Sequence, residues 1–386
     1  MKASFKNYFT AAFILAGTIL GVGIFGLPYV FSKSGFLTGL FFLFFCGVLV
    51  TINHLLYGEI LLRTPGEHRL PGLAKIYLGK LGFSLTSISS IVSAISVLLA
   101  YLILGGQFLS NLGQAVNHPM GIGLATIIFW IIGTVGFSFG IGFIGFGAIL
   151  GLILIIVFII GFFILGIPHV QLEMLTKINF SQFLLPYGVL LFSLSDGSAV
   201  PEILNYFTKK GVAKEKIDFK KPIISGTFLP PILYILFILG VFGLFQGKVI
   251  PVDLIPGLLQ YNPIVGLITN ILGIILMLTS YFVIGLNLRN TLSLDLKMKS
   301  WTSWLVPTIL PIALYFFGFQ NFIGVISFIG AVILGIVITT TILIHKKSQE
   351  KGGLIPSYQI KISNFARISL IILLLFGVGQ EIAKFF

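Results

Sequence analysis

The chain has 386 residues, of which 57% are hydrophobic and only 9% are charged, and its formal net charge is +13. Soluble domains carry about 25% charged residues, so this composition excludes an ordinary water-soluble globular protein. The apolar runs approach the ~20 residues that a helix needs to cross a bilayer, whereas strands of a membrane barrel would be ~10-residue alternating segments. We therefore expect an all-α integral membrane protein. Its single cysteine excludes a disulfide framework within the chain.

The apolar runs predict eleven transmembrane helices within one domain, residues 1–386. They cover residues 8–31, 36–62, 84–112, 120–139, 143–167, 184–206, 222–245, 263–288, 301–317, 322–344 and 364–384. With the N-terminus in the cytoplasm, twenty of the 24 lysine and arginine residues fall in cytoplasmic segments, as the positive-inside rule requires. This predicts a multi-pass protein of the cell membrane with a cytoplasmic N-terminus and an extracellular C-terminus. It also explains the basic excess without a nucleic-acid partner.

The first span contains GVGIFG, residues 21–26, which matches the G-x-G-x-x-G string of dinucleotide-binding enzymes. Its flanks are uncharged and the first acidic residue is Glu59, so a phosphate-binding loop is a poor interpretation. Glycine tolerates non-helical dihedrals, and Gly21, Gly23 and Gly26 precede Pro28 in the middle of the span. They predict a helix break at the membrane midplane, where unpaired backbone is tolerated only if it lines a cavity or is buried by protein.

The second and third spans each contain a polar side chain that calls for an interpretation. Glu59 lies near the cytoplasmic end of the second span, where its side chain can extend to the membrane surface. Tyr101, in the third span, could close a pocket at the membrane midplane. The alternative for Tyr101 is simple packing, which is the usual role of an aromatic side chain in an apolar helix.

The sixth span repeats the feature of the first, because FSLSDGSAVPE, residues 192–202, places small and polar residues at its centre. Five spans separate the two breaks, an odd number, so the two halves are predicted to be inverted repeats of about 8–167 and 184–345, with an extra helix at 364–384. Paired breaks in inverted repeats are the best sequence pointer to a transporter's substrate site. The alternative is that the small residues only allow close helix packing, as in the small-xxx-small match of GTILG, residues 17–21.

Each break offers both kinds of backbone group that an α-amino acid requires. Unpaired N–H groups at the start of a half-helix can hold a carboxylate, and carbonyls at the end of the preceding half-helix can accept from an ammonium group. The candidate substrate-binding residues are Gly21, Val22, Gly23, Ile24, Tyr101, Phe192, Ser193, Ser195 and Asp196.

Asp196 and Glu202 are the candidates for gating or proton transfer. An acid at the bilayer centre is costly, so Asp196 is a functional candidate. It is also well suited to cap the helix that follows it, and the two roles are compatible. Glu202 lies further toward the cytoplasm, where it could gate the pathway on that side.

Four stretches together resemble the amino acid/auxin permease family and the related aromatic amino acid permeases of the amino acid–polyamine–cation superfamily. They are GTILGVGIFGLPYV, GEHRLPGLAKIYLGKLG, FSLSDGSAVPEI and LTSYFVIGLNLRNTL, in the order in which they occur. The similarity extends over essentially the whole chain. It implies the leucine-transporter-type fold, with five plus five inverted helices and an eleventh helix, and secondary transport of amino acids.

The resemblance also implies an ion site between the first and eighth spans. The matching groups are the carbonyls of Gly17, Leu20 and Leu276 and the hydroxyls of Thr279 and Ser280. Oxygen ligands of this kind suit a monovalent cation, although both hydroxyls could instead bond to carbonyls one turn earlier. Some proton-coupled relatives replace the ion with a lysine in the fifth span. That span has no lysine or arginine here, which favours Na⁺ over H⁺.

We therefore expect a secondary active transporter that imports amino acids by cation symport, with alternating access around a midplane site. The alternatives are a proton-coupled permease for aromatic or neutral amino acids and, more remotely, a passive channel or a non-transporting sensor. The chain lacks the H-E-x-x-H motif, and its single G-x-S-x-G match, GFSFG at residues 136–140, ends an apolar span rather than a strand, so neither motif indicates an enzyme. No cofactor is expected besides a possible coupling Na⁺. The sequence leaves open which amino acid is carried and the oligomeric state.

Overall fold

The computed structural model describes residues 5–138, 141–195, 199–212, 214, 217, 219–254, 258 and 263–384. In this part of the chain, every regular element is helical. The first half contains α1 (Phe5–Ile19), a 3₁₀ turn (Val22–Gly26), α2 (Leu27–Ser34), α3 (Phe36–Arg63), α4 (Leu70–Ala115), α5 (Ile122–Ser138) and α6 (Ile141–Gly166). A short helix, α7 (Leu172–Thr176), follows between two 3₁₀ turns (Ile167–His169 and Phe180–Gln182).

The second half begins with the two short helices α8 (Leu185–Leu194) and α9 (Ala199–Lys209). The remaining elements are α10 (Lys220–Phe245), α11 (Pro263–Asn290) with a π turn (Thr291–Asp295), α12 (Ser300–Phe316), α13 (Phe322–Phe328), a π segment (Ile329–Leu334), α14 (Gly335–Lys351) and α15 (Asn364–Ala383).

The number of membrane spans can be judged from the length and hydropathy of these helices. Within the described residues, seven helices are long and apolar enough to cross a bilayer, and the bent pair α1–α2 makes eight if it is counted as one span. Helices α5 and α12 have only 17 residues each, and the sixth predicted span is divided between α8 and α9. Each of the eleven predicted spans overlaps at least one helix, but the total of eleven stays a prediction.

The start of the third span differs from the prediction. Helix α4 begins at Leu70 rather than at residue 84, and it continues through a kink at Gly79, whose φ is 75°. The additional turns fold as a helix because they have a buried face of their own, formed by Leu73, Ala74 and Tyr77. The sequence predicted a loop here, with Lys75 and Lys80 among the basic residues counted on the cytoplasmic side.

Helix α10 lies at the centre of the fold and packs on α1, α3 and α6. Its Tyr234, Phe237 and Phe242 are almost completely buried. Helices α10 and α6 approach closely through glycines, since a Cβ on Gly166 would lie 2.6 Å from the Gly240 carbonyl carbon. Helix α11 packs instead on α4, α5 and α6. The close contact between Gly166 and Gly240 thus holds α6 against α10, which in turn packs on α1.

Glu59 does not extend to the surface, because its side chain is completely buried. Its carboxylate accepts hydrogen bonds from Arg63 Nε at 2.8 Å, His345 Nε2 at 3.0 Å and the Ile360 amide at 2.6 Å. The other ring nitrogen of His345 faces the guanidinium of Arg367 at 3.5 Å. A proton on His345 Nε2 lets this nitrogen donate to Glu59 and leaves Nδ1 free to accept from Arg367. The structural role expected for Glu59 is therefore confirmed, while the expected route to the surface is wrong because three donors hold the carboxylate inside.

The connector between α14 and α15 folds back over the end of α3. Tyr358 donates its hydroxyl hydrogen to the Leu55 carbonyl at 2.6 Å, and the Leu354 amide donates to the Arg63 carbonyl at 3.1 Å. Burial raises the pKa of the Tyr358 phenol well above its ordinary value, so this hydroxyl stays protonated. Together with Glu59, these bonds fasten the last two helices of the chain to α3.

Glu59→Gln is expected to destabilise the fold. The change removes the buried carboxylate that pairs with Arg63, and breaking a buried ion pair on one side costs about 3–5 kcal/mol. The melting temperature of the detergent-purified protein, followed by tryptophan fluorescence, measures the effect.

Glu350→Gln is the matched control, because Glu350 pairs with Lys347 at 3.0 Å on the exposed surface. Exposed pairs contribute little to stability, so this variant should melt close to the unchanged protein. Equal melting temperatures for the two variants would contradict the structural role assigned to Glu59.

Candidate functional site

The first predicted break is present. Helix α1 ends at Ile19, and Gly21 has an extended backbone with φ −133° and ψ −156°. The chain then forms a single 3₁₀ turn before α2 begins with Pro28 in its first turn. The axes on either side of the break differ by 52°. The helix is therefore interrupted where the glycines precede Pro28, as the sequence predicts.

The sixth span is also interrupted. Helix α8 ends at Leu194, Ser195 has an extended backbone with φ −96° and ψ 106°, and α9 begins at Ala199. The Ser195 amide closes α8 by donating to the carbonyls of Leu191 at 3.1 Å and Phe192 at 3.3 Å. Asp196, predicted to bind substrate or to transfer protons, lies outside the described residues together with residues 197 and 198.

The two breaks lie against one another. A Cβ added to Gly23 would sit 2.9 Å from both Cα and Cβ of Ser193, which is closer than Cβ atoms pack in proteins. The hydroxyl of Tyr101 on α4 lies 3.2 Å from the position of a Cβ on Gly21. The structure therefore brings together four of the predicted substrate-binding residues, which come from the first break, the second break and α4.

Tyr234 connects the two interrupted helices. Its hydroxyl lies 3.0 Å from the Ile19 carbonyl and 2.6 Å from the Ser193 carbonyl, so it can donate to either oxygen. Both carbonyls belong to the last turns of half-helices, where carbonyl oxygens have no partner within the helix. Tyr234 is not among the residues that the sequence predicts for the site. The available signal was a lone phenol in an apolar span, because a buried tyrosine hydroxyl usually has a hydrogen-bond partner.

The hydroxyls next to the second break have different surroundings. Ser193 Oγ donates to the Val189 carbonyl at 2.7 Å, one turn back in α8. Ser195 Oγ is buried and has no hydrogen-bond partner among the described residues. A buried hydroxyl without a partner is uncommon in folded proteins. Ser195 is therefore the side chain at this break that is most open to an added polar group.

The residues proposed for the ion site are placed as follows. Thr279 Oγ1 donates to the Leu276 carbonyl at 3.0 Å, which is the bond to the preceding turn that the sequence left open as an alternative. Ser280 is half-buried on the same helix, and Leu20 is buried at the end of α1. Gly17 faces Leu152 of α6, with 3.2 Å between its potential Cβ and Leu152 Cδ2. The cation site stays a prediction.

Glu202 takes part in a polar bridge among three helices. One of its carboxylate oxygens lies 3.8 Å from Arg69 at the start of α4, and both side chains are about half exposed. Arg69 also donates to Asn287 Oδ1 of α11 at 3.2 Å. Glu202, predicted to gate one side of the pathway, thus joins α9 to the two helices beside it.

Comparisons with known proteins agree with this architecture. The model of the tryptophan/tyrosine permease family matches residues 4–384. Glutamine transporter 2 of Aliivibrio fischeri is 23% identical over 382 residues, which are 96% of this chain and 97% of the relative. The amino acid transporter AVT3B of Arabidopsis thaliana is 31% identical over 144 residues, which are 33% of this chain and 32% of the relative.

The fold is shared with a solved structure. The crystal structure of MhsT in complex with L-phenylalanine matches 100% of this chain and 99% of that chain, with a TM-score of 0.65 and 16% identity. This likeness confirms the all-helical leucine-transporter-type fold that the sequence resemblance implies, and the broken helices are part of it.

The family match and the curated relatives also decide between the classes of function considered from the sequence. The matched proteins are transporters, and the family model extends over nearly the whole chain. The chain belongs to the tryptophan/tyrosine permease family, and it is a multi-pass membrane protein and an amino acid permease rather than an enzyme.

Proposed function

We propose that this permease carries a large neutral amino acid by holding its backbone between the two helix breaks, and that a cation drives uptake. The observation that carries this proposal is the contact of Gly23 with Ser193, together with the Tyr234 hydroxyl that serves carbonyls of both half-helices. Two interrupted helices meeting at the centre of a bundle provide backbone donors and acceptors that no intact helix offers.

The binding chemistry follows from the direction of the chain at each break. The first N–H groups of the 3₁₀ turn from Val22 onward have no partner within that turn and suit a carboxylate. The carbonyls that end α8 suit an ammonium group, as does Ser195 Oγ, which no described residue bonds. Both charged ends of an amino acid can thus be held by dipoles, and Asp196 is the next residue in the sequence after Ser195.

The surroundings of the first break favour an apolar, aromatic side chain on the substrate. Phe25 packs edge-on against Phe108 of α4, with 5.3 Å between ring centroids, and Tyr101 lies about two turns earlier on the same helix. The family description and the complex of MhsT with L-phenylalanine support this class, while the relative described as a glutamine transporter supports neutral amino acids more broadly.

The proposed coupling ion is Na⁺. Its ligands would be the carbonyls of Gly17, Leu20 and Leu276 with the hydroxyls of Thr279 and Ser280, and the fifth span has no lysine that would take the place of the ion. We further propose import across the cell membrane with the N-terminus in the cytoplasm. The distribution of lysine and arginine residues supports that orientation.

Reconstituted liposomes should accumulate radiolabelled tryptophan, tyrosine or phenylalanine when a Na⁺ gradient is imposed.

Gly23→Ala should lower this uptake by roughly tenfold or more, because its Cβ must displace Ser193 in a site whose function depends on precise positioning. The matched control is Gly47→Ala on α3, where an added Cβ meets nothing within 4 Å. Uptake by Gly23→Ala at the rate of the control would contradict a site at the breaks.

The Na⁺ assignment is tested by the double variant Thr279→Ala with Ser280→Ala. Removing both hydroxyls should abolish stimulation by Na⁺, since two of five proposed ligands are lost. Thr51→Ala serves as the control, because the Thr51 hydroxyl also bonds to a carbonyl one turn earlier, at 2.7 Å, but belongs to α3. Uptake driven equally well by a pH gradient without Na⁺ would assign H⁺ instead.

The bridge between Arg69 and Glu202 should affect the rate of transport. Arg69→Glu places two acids together and should reduce maximal uptake several-fold, and Glu202→Arg should do the same. The double variant that exchanges the two charges should recover most of the lost rate. Without such recovery, with all three variants monodisperse by gel filtration, the pair has no gating role.

A further inference from the structure

A cavity of about 210 Å³ lies between α3, α8 and α15, away from the two breaks. Its walls are mainly aromatic and aliphatic, and they include Phe42, Phe45, Tyr187 and Leu373. Phe41 and Phe376, which also line it, are more than half exposed on the outer surface of the helix bundle. In a membrane protein this surface faces hydrocarbon, so the cavity opens sideways toward the lipid.

The polarity of the lining changes along α15. Leu373 lies two to three turns from the end of the helix, whereas Gln380, Glu381 and Lys384 stand at its last turn. Glu381 and Lys384 form an ion pair at 2.6 Å, with the carboxylate buried and the ammonium about half exposed. The helix end is the level of the polar interface of the membrane, so the cavity has an apolar body and a charged mouth in the order found in a phospholipid.

A second polar group faces this cavity. The hydroxyl of Tyr187 is buried and has no hydrogen-bond partner among the described residues. It lies 2.7 Å from the position of a Cβ on Gly377, which is one helical turn below Glu381. One turn is about 5.4 Å, so a donor stands just beneath the charged mouth. Buried hydroxyls are normally bonded, and this one needs an acceptor that the described residues do not supply.

We propose that the cavity binds one phospholipid with a zwitterionic headgroup from the adjoining leaflet. An acyl chain lies along Phe42, Phe45 and Leu373, and an ester carbonyl accepts from the Tyr187 hydroxyl. The headgroup meets Glu381 and Lys384, with its phosphate toward the ammonium and its amine toward the carboxylate. Since the mouth carries one charge of each sign, a zwitterionic headgroup fits it better than an anionic one.

The lipid would contact the outer half of the broken sixth span. Tyr187 is in the first turn of α8, whose other end carries Ser193 and Ser195. The inference does not depend on the proposed substrate or coupling ion, because it rests only on the lining of the cavity.

The full-length protein, purified in mild detergent and mixed with equal amounts of phosphatidylethanolamine and phosphatidylglycerol, tests the proposal by native mass spectrometry. We expect one retained phosphatidylethanolamine per chain. Leu373→Trp should reduce this retention by roughly tenfold, because the larger side chain fills the body of the cavity. Leu375→Trp is the matched control, because Leu375 is exposed on the same helix and does not line the cavity.

Two milder variants test the polar contacts and guard against misfolding. Lys384→Gln alters an exposed side chain at the end of the helix, and Tyr187→Phe removes only the hydroxyl; each should lower retention. Equal retention by Leu373→Trp and Leu375→Trp, or no retained lipid in the unchanged protein, would overturn the site. Equal retention of phosphatidylglycerol, or no effect of Lys384→Gln, would overturn the zwitterionic headgroup assignment.

Discussion

The structure depends on how it satisfies backbone groups exposed by breaking two helices inside an apolar bundle. Hydrocarbon offers no hydrogen-bond partners, so a carbonyl left open at this depth is costly unless protein or a ligand serves it. Tyr234 supplies one hydroxyl to two such carbonyls, those of Ile19 and Ser193, from a largely buried helix at the centre of the fold. One phenol thus fixes the distance between the two half-helices that meet at the site.

Around that centre, some helices are joined by buried contacts and others by a half-exposed polar bridge. Helices α6 and α10 meet backbone to backbone at their glycines, and Glu59 with its three donors joins α3 to α14 and to the following connector. These contacts are buried, so water cannot readily replace them. The bridge from Arg69 to Glu202 and Asn287 is half exposed and long, and exposed pairs of this kind are weak and readily broken. The buried contacts therefore belong to α3, α6, α10 and α14, whereas the weak, half-exposed bridge belongs to α4, α9 and α11.

Much of the fold follows from local sequence patterns. The glycines before Pro28 and the polar centre of the sixth span predict both interruptions, because backbone preference and membrane depth act locally. The partners of Glu59, the role of Tyr234 and the helical turns before residue 84 depend on which surfaces meet, and no local pattern encodes that. Gln107 and Asn270, whose amide oxygens are buried and unpartnered among the described residues, are a further case, since the sequence gives no indication of which groups surround them.

The contact between Gly23 and Ser193 limits how this permease can diversify. The two half-helices cannot move apart without losing the hydrogen bonds of the shared Tyr234 hydroxyl. Position 23 also has no room for a side chain. In the proposed site, a different substrate preference would therefore have to come from the walls, through residues such as Tyr101 and Phe108 on α4, while the backbone cleft proposed for the ammonium and carboxylate groups common to all amino acids stays the same.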